Sequence, residues 1–432
     1  MPCIFVHDRN LPRQSVLDNA TTWRDIDNMV DIQTDVLIVG GGLIGLTQGL
    51  ALSSAGLRSV VVERQETDVL TTMTHDGRVS TISYGSAMMF RQIGVWDYMA
   101  DHAEPISEIR VADNGAPLFL HFDHREVGDR PFGFTVENRF IRQALYRALS
   151  LADGIQLIAP GDLVDVDRGQ NRARARLADG RTIEAALIVA ADGRTSPLRE
   201  AAGIRCLTWK YDQTAIVTTV SHDFSHGGIA SELFLPSGPF ALLPMQGNRS
   251  ALIWTERSRD VAALLALNEE AFDAALMERA GEHWGRIWCD APRWSYTLGL
   301  QNAERYFADR LVLIGDAAHG MHPVAGQGLN LGLRDVAALA EVLTDCARLG
   351  LDLGGGEGLC RYQRWRRFDA LKILIMTDGL VRLFSNDVAP VRLARVLGLG
   401  LVNRIGPAKR YFERQAAAMA GDLPRLIRGQ AL

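Results

Sequence analysis

Three groups of residues in this 432-residue chain have the types and spacing to do chemistry. The first is Gly40-Gly-Gly42-Leu-Ile-Gly45, with Glu63 closing the next apolar run. Gly40 permits a tight turn, Gly42 lets the backbone approach a pyrophosphate, and Gly45 lets the following helix lie close to a sheet with its N-terminus facing the phosphates. A carboxylate at Glu63 is placed to accept both hydroxyls of an adenosine ribose. The second is Asp192-Gly193, opening the stretch that runs to Arg199, which reads equally well as a plain helix cap and as a ligand-binding turn. The third is Gly315-Asp316 followed by His319-Gly-Met-His-Pro-Val-Ala-Gly-Gln-Gly-Leu-Asn-Leu-Gly-Leu-Arg-Asp335. Asp316 ends an apolar run at the carboxyl edge of a sheet, where α/β folds bind ligands. Gly326 and Gly328 expose backbone N–H groups at the start of a helix from about Leu329. Such an N-terminus stabilises anionic charge, for example on the N1/O2 edge of a reduced flavin.

Other chemistries lack residues. Pro323, directly after His322, interrupts any helical face that His319 and His322 could share, and metal sites usually need more ligands, so no metal is expected. No G-x-S-x-G, H-E-x-x-H or P-loop occurs, which removes the common hydrolase and NTPase readings.

The elements that must position these groups are visible as apolar runs. Asp35-Val-Leu-Ile-Val39, Ser59-Val-Val-Val-Glu63, Ala186-Leu-Ile-Val-Ala-Ala191 and Arg310-Leu-Val-Leu-Ile-Gly315 read as buried parallel strands of βα units. Between them, Ile106 to Val136 and Thr214 to Thr255 alternate apolar and polar residues and read as a second, partly exposed sheet. The uncharged stretch from Val36 to Leu57 is long enough to span a bilayer, but its glycines make it strand, turn and helix.

Apolar residues are 47% and charged residues 22%, enough for a packed core and against a disordered chain. A net charge of −5 gives no reason to expect nucleic acid. Five cysteines without a C-x-x-C spacing argue against a disulfide framework or zinc site and fit reduced thiols in a cytoplasm. Residues 1–30 are charged and carry no apolar run, so no secretory signal is expected there. From Arg361 onward the pattern is helical and basic, with fourteen Lys and Arg against five Asp and Glu, so this tail carries +9 and the rest of the chain −14. Residues 388–405, with Arg392 and Arg395, are moderately amphipathic, and Lys409 and Arg410 follow. This stretch either packs against the body of the protein or docks on an anionic membrane surface.

The three motifs in this order resemble the group A flavin-dependent aromatic hydroxylases, relatives of para-hydroxybenzoate hydroxylase. His322 to Asp335, Asp76-Gly-Arg78 with Ile93-Gly-Val-Trp96, and Gly238-Pro-Phe-Ala-Leu-Leu-Pro244 ahead of Ala251-Leu-Ile-Trp254 look like one branch, the ubiquinone-biosynthesis hydroxylases. The resemblance runs from about residue 32 to about 420. It implies an α/β fold: a Rossmann-like FAD-binding domain (31–105, 134–203 and 300–350) interrupted by a β-sheet substrate domain (106–133 and 204–299). A C-terminal helical region (351–432) follows, and 1–30 is an extension. It further implies that Gly40, Gly42, Gly45 and Glu63 hold the ADP half of a non-covalent FAD. Arg78 would lie near the pyrophosphate and ribityl chain, with Asn138 or Arg142 opposite. Asp192 and Gly193 belong to a motif linked to both FAD and NAD(P)H, and Asp316 would accept from a ribityl hydroxyl. Pro323, Ala325, Gly326, Gln327, Gly328, Leu329 and Asn330 would pack beside the isoalloxazine.

The activity implied is NAD(P)H- and O2-dependent hydroxylation of a prenylated phenol through a flavin C4a-hydroperoxide, with no nucleophilic side chain required. His226 and Glu232 are weak candidate acceptors of the phenol proton, His226 reading more readily as a loop histidine beside Gly227 and Gly228; Phe234, Phe240, Leu242, Leu243, Pro244 and Met245 are candidate lining of the substrate site, each taken singly reading more readily as plain sheet core. The implied location is cytoplasmic or peripheral on the inner face of a membrane, among other quinone-biosynthesis proteins. The alternatives are a hydroxylase of a small soluble aromatic, a flavoprotein reductase, and a flavin-holding scaffold subunit of a membrane-associated assembly.

Overall fold

In the computed structural model, residues 30–71, 77–113, 119–126, 128–322, 326–384, 417, 419 and 421–432 are described. The strand Ile32–Val39 lies in the middle of a sheet because Val36, Leu37 and Ile38 are apolar without alternation, and all three are fully buried. Among the described residues the sheet order is Phe307–Ala308, Leu311–Leu313, Thr182–Ala190, Ile32–Val39, Ser59–Val62, Ile155–Ile158. The last five of these strands are parallel, with Leu37 level with Ile188 on one side and Val60 on the other. Ala173–Leu177 pairs antiparallel with Thr182–Ala190, and Leu163–Arg168 pairs antiparallel with Ala173–Leu177 in turn. Helix Leu43–Ser54 links the first two parallel strands and packs against the helix Gly328–Arg348. The two approach so closely that a Cβ on Gly332 would meet Ile44 at 2.7 Å.

The second large sheet has the order His319–Gly320, Trp294–Ala303, Cys206–His222, Arg249–Arg257, Gly238–Met245, Ile229–Leu235, Glu108–Asp113, Phe119–Asp123. Its two faces do different things. Phe240 lies opposite Trp254 and Leu242 opposite Leu252. That face is sealed by the helices Ser258–Leu265 and Glu269–Ala280 through Trp254, Val261, Phe272 and Leu276. The other face carries Val217, Ala241 and Ile253 in register, with Trp294 beside Val217 and Tyr296 beside Ala215. It is turned toward the segment ahead of Val79–Ser83: Gly77 lies against the Trp294 ring, and the Arg78 guanidinium sits over the Tyr296 ring at 5.3 Å.

One expectation needs correction. The alternating block from Ile106 to Val136 does not join a single sheet. Glu108–Asp113 and Phe119–Asp123 belong to the large sheet, whereas Glu104–Ile106 and Gly133–Glu137 pair with Val79–Ser83 in a small antiparallel sheet of their own. Alternation reveals a half-buried strand but not its partner. The basic tail begins as the helix Gly356–Phe384. Residues 388–405, with Arg392 and Arg395, and Lys409 and Arg410 lie outside the described residues. Among the described residues, no helix is long and apolar enough to cross a membrane.

Candidate active site

The structure brings the first motif together as a tight turn between strand and helix. Gly40 has φ +104, and a Cβ there would stand 2.4 Å from the Ala191 carbonyl oxygen. A Cβ on Gly45 would fall 1.8 Å from the Gly40 carbonyl oxygen. The helix that follows, Leu43–Ser54, starts at Gly42 with no side-chain cap and no acid in its first turn, so its N-terminal dipole faces outward uncompensated. Glu63 reaches the same place: its two carboxylate oxygens accept from Gly41 N at 2.7 Å and Gln65 N at 2.9 Å. Tyr146 stands between the charges of Glu63 and Arg142; burial, with Glu63 next, pushes its hydroxyl up to about 12.

The second and third motifs meet further along the same edge. Asp316 opens to solvent at the end of Leu311–Leu313, yet protein surrounds it on enough sides that burial raises its carboxyl above the usual range. His319, Arg194 and Arg78 act in the opposite direction. A carboxylate exposed while crowded by protein sits on the floor of a cleft. Arg78 also donates to the Tyr296 hydroxyl at 3.3 Å, and its carbonyl receives Asn138 N at 2.9 Å. Asn138 Oδ1 accepts from the Ser80 hydroxyl at 2.6 Å. Asp192 accepts from Leu198 N, and burial raises its pKa too. Gly193 takes φ +85 in the turn that follows. Arg199, buried, donates to the Ala317 carbonyl at 3.0 Å and ties this turn to the Asp316 turn.

Pro323 and Ala325 lie outside the described residues. Beyond them, Gly326 has φ +60 with Thr81 Oγ1 2.8 Å from where its Cβ would be, and Gln327 is the N-cap of the helix from Gly328. Leu329 is half-buried in the first turn. The Asn330 side chain is wholly buried and turned away from the cleft. Its Oδ1 accepts from Ser83 N and the Ser86 hydroxyl, both at 2.9 Å, and its Nδ2 donates to the Thr81 and Gly326 carbonyls. Asn330 therefore serves the site by fixing the loop, leaving only its backbone to face a ligand.

Beneath the Asp316 turn lies a buried ionic cluster that spacing alone did not reveal. Asp335 is 0% exposed. It accepts from Gly315 N at 3.0 Å, His319 Nε2 at 2.6 Å and Arg366 Nε at 2.8 Å. Arg366 also donates to Asp369 at 2.7 Å, and Arg334 donates to the same carboxylate at 3.0 Å. Burial alone would raise the Asp335 pKa, but the charges of His319 and Arg366 and their hydrogen bonds outweigh it and hold the carboxyl low. His319 is thus a partner of Asp335. His322 packs edge-on against Tyr211 at 5.3 Å, and burial lowers its pKa to about 4. Among the described residues no grouping of His, Cys, Asp and Glu could hold a metal ion.

The residues singled out for the substrate scatter. His226 is committed to the fold: Nε2 donates to the Met245 carbonyl at 2.7 Å and Nδ1 accepts from Gly228 N at 3.0 Å. Phe240 and Leu242 point into the helix-sealed face, and Pro244, two positions on, shares it by register. Phe234 stacks on Phe384 with ring centroids 4.3 Å apart. Of these five only Phe234 lies on the opposite face, by its register beside Ala241, and there Phe384 covers it. That face, toward Gly77 and Arg78, carries Val217, Ala241, Ile253, Trp294 and Tyr296, half of a strand alternation whose two halves look alike in sequence.

The model of the FAD-binding-domain family matches residues 33–367, most of the chain. The chain belongs to this FAD-binding family. It is 50% identical to the ubiquinone hydroxylase UbiL of Rhodospirillum rubrum, over 96% of this chain and 97% of that one. It is 32% identical to 3-demethoxyubiquinol 3-hydroxylase of Escherichia coli, over 90% of this chain and all of that one. Among solved structures, p-nitrophenol 4-monooxygenase PnpA of Pseudomonas putida shares the fold with a TM-score of 0.75 at 19% identity, covering 91% of this chain and all of PnpA. This is the fold of FAD-dependent monooxygenases.

FAD fits the residues present. Gly42 has an ordinary φ of −71, and a Cβ on it would meet nothing within 4 Å. Among the described residues a Cβ on Gly328 would find only Met321, at 4.0 Å. The packing of the described residues requires neither glycine, so both leave room for a ligand at the start of a helix. Asp192 Oδ1 and Thr81 Oγ1 are buried without a protein hydrogen-bond partner among the described residues.

Two predictions follow from this geometry. Gly42→Ala and Gly328→Ala should leave the apoprotein within about 1 kcal/mol of wild type in urea denaturation while weakening FAD binding about tenfold or more. Gly45→Ala and Gly326→Ala should each cost about 1–3 kcal/mol before any cofactor is added. Equal behaviour of the two pairs would mean that Gly42 and Gly328 are structural. For the cluster, Asp335→Asn should cost about 3 kcal/mol or more at pH 7, because it strips the charge opposite buried Arg366. Asp335 and Asp369 both have lowered pKa values when folded. Their stabilisation is therefore complete above the unfolded carboxylate value of about 3.9 and is lost as pH falls below it. Melting temperatures should drop in that acid range for wild type and less for the variant; parallel acid limbs would remove Asp335 as a contributor.

Proposed function

We propose that this protein uses FAD and NAD(P)H to insert one oxygen atom from O2 into the aromatic ring of a prenylated phenol in ubiquinone biosynthesis. The observation that carries this reading is 50% identity with UbiL across nearly the whole of both chains, joined to a cleft in which Gly42 and Gly328 leave open space at the starts of two helices among the described residues. Bound FAD supplies acceptance of two electrons from the nicotinamide and activation of O2.

The roles proposed for this chain's residues are as follows. Gly40 and Gly45 shape the turn, Gly42 gives the pyrophosphate room, and Glu63, anchored by two backbone amides, turns its remaining lone pairs to the adenosine ribose. Arg78, braced on Tyr296, and Arg194 supply positive charge along the cleft, and Asp316 accepts from the ribityl chain. The amides at Gly328 and Leu329 face the pyrimidine edge, where they favour negative charge. The open sheet face, with Val217, Ala241 and Ile253, excludes water from the reacting ring. In this division of labour the segments 31–105, 134–203 and 300–350 hold FAD and 106–133 with 204–299 hold the substrate. Asn138 and Arg142 flank the nucleotide from the helix Asn138–Leu149, while Asp192 and Gly193 line the passage used by the nicotinamide. We place the protein in the cytoplasm, in peripheral contact with the inner membrane face and with other quinone-biosynthesis proteins.

Heat should release FAD into the supernatant from a yellow holoprotein; colour left on the denatured chain would contradict a non-covalent site. Glu63→Ala should weaken FAD binding by about 1–3 kcal/mol, the scale of hydrogen bonds to a charged acceptor. The activity itself is tested by deleting the gene and identifying accumulated quinone precursors by mass spectrometry. A prenylated phenol lacking one ring hydroxyl should build up. Unchanged quinone content, or NAD(P)H oxidation by the pure protein without hydroxylated product, would favour a small-aromatic hydroxylase or a reductase; FAD binding without NAD(P)H turnover would favour a scaffold.

A further inference from the structure

The helix Gly356–Phe384 presents two faces that do unrelated things. Its inner face is bolted to the flavin site: Tyr362 donates to the Leu313 carbonyl at 2.9 Å, and Arg366 reaches Asp335 and Asp369. Its last two turns place Val381 and Phe384 against Phe234, with Leu380 and Tyr211 alongside. Tyr211 in turn donates to Asp378 at 2.7 Å and touches His322, which directly precedes the flavin loop.

The outer face is apolar and exposed. Phe368 is 73% exposed, Ile375 64%, and Leu371 and Leu383 41% each. At 100° per residue these four fall within an arc of about 120°. Exposed Gly379 lies in the middle of that arc and adds no bulk. The same arc holds Arg361, Arg364, Lys372 and Arg382, against one acid, exposed Glu357 in the first turn. Arg361, Lys372 and Arg382 pair with Asp345, Asp369 and Asp378 respectively, acids beyond the edge of the arc. Arg382 also lies over the ring of half-exposed Trp209 at 4.3 Å, and Leu207 on the same strand is 64% exposed. The helix as a whole has six cations against three acids in a chain whose net charge is negative. Apolar side chains flanked by arginine, lysine and an interfacial tryptophan have the composition that an anionic lipid surface attracts, where the rings and aliphatic chains enter the acyl boundary and the cations meet headgroups.

We propose that the outer face of Gly356–Phe384, extended by Leu207 and Trp209, docks on an anionic bilayer. Docking there sets a lipid-dissolved substrate beside the helix whose opposite side, through Val381, Phe384 and Asp378, packs on Phe234 and Tyr211. The proposal rests on the prenylated-phenol reading above. It assigns the docking to residues 368–383, apart from the later stretch 388–410.

The test uses full-length holoprotein and the double variant Phe368→Gln/Ile375→Gln, whose altered side chains are exposed and outside the cleft. Flotation is measured with vesicles of phosphatidylglycerol and phosphatidylcholine, and with phosphatidylcholine alone. Wild type should float with the anionic vesicles, less so in high salt and less so with neutral vesicles. The variant should lose about tenfold in partitioning while hydroxylating a detergent-dispersed prenylated phenol at the wild-type rate. Absence of wild-type flotation, or equal flotation of variant and wild type, would overturn the proposal. So would a variant that converts a dimer to a monomer in light scattering without changing flotation, since the face would then belong to a second copy. Wild-type flotation without turnover of the dispersed phenol would instead sink the activity reading and uphold the docking face.

Discussion

The carboxylate of Asp335 is the constraint on which the catalytic edge of this protein depends. It comes from the helix Gly328–Arg348 and is completely buried. Its hydrogen bonds run to the start of the Gly315-Asp316 turn, to His319 after that turn, and to Arg366 on the next helix. An isolated buried carboxylate would be prohibitive, and only the surrounding donors make it tolerable. The arrangement therefore works in both directions. The turn, the two helices and the imidazole must all be in place for the charge to be accommodated, and once it is accommodated none can shift separately. Asp316 inherits its position from this lock.

Glycines divide into two kinds when the space around each is considered. Gly40, Gly45 and Gly326 are demanded by the chain itself, through positive φ, through a neighbouring carbonyl, or through Thr81. Gly42 and Gly328 are not demanded by any of the described residues, yet they stand at the starts of the two helices that converge on the cleft. A site whose backbone must touch its ligand keeps side chains away at just such positions. The first kind explains why the turns have their shape; the second locates the surface that a cofactor covers.

The nucleotide-binding half was legible in the sequence because its signals are local. Val36, Leu37 and Ile38 announce a strand buried on both faces, and the glycines and Glu63 follow at fixed offsets. What was not legible depends on contacts between distant segments. Asp335 and Arg366 are thirty-one residues apart, and nothing in either neighbourhood announces the other. Phe240 and Leu242 differ from Ala241 and Leu243 only in the parity of a strand. Sequence reveals that alternate residues face opposite ways; only the packing of Phe272 and Leu276 reveals which side is sealed. His226 reads from sequence most readily as a loop histidine beside two glycines, and those glycines shape the turn whose amide at Gly228 binds the imidazole.

The same lock has a consequence for the far side of the molecule. Arg366 and Phe368 are two residues apart on one helix, one ion-paired to Asp335 and the other projecting into solvent. Side chains two apart on a helix face different ways, so a single rigid element separates the buried charge cluster from the outer surface. Tyr362 and Arg366 fix this helix at one end and Asp378 with Tyr211 fixes it near the other. Rotation of the helix about its axis would break the Asp335 and Asp378 contacts together. The outer surface is consequently held at a constant distance and orientation from the Gly315-Asp316 turn, so whatever seats on it meets a flavin site whose geometry is already set.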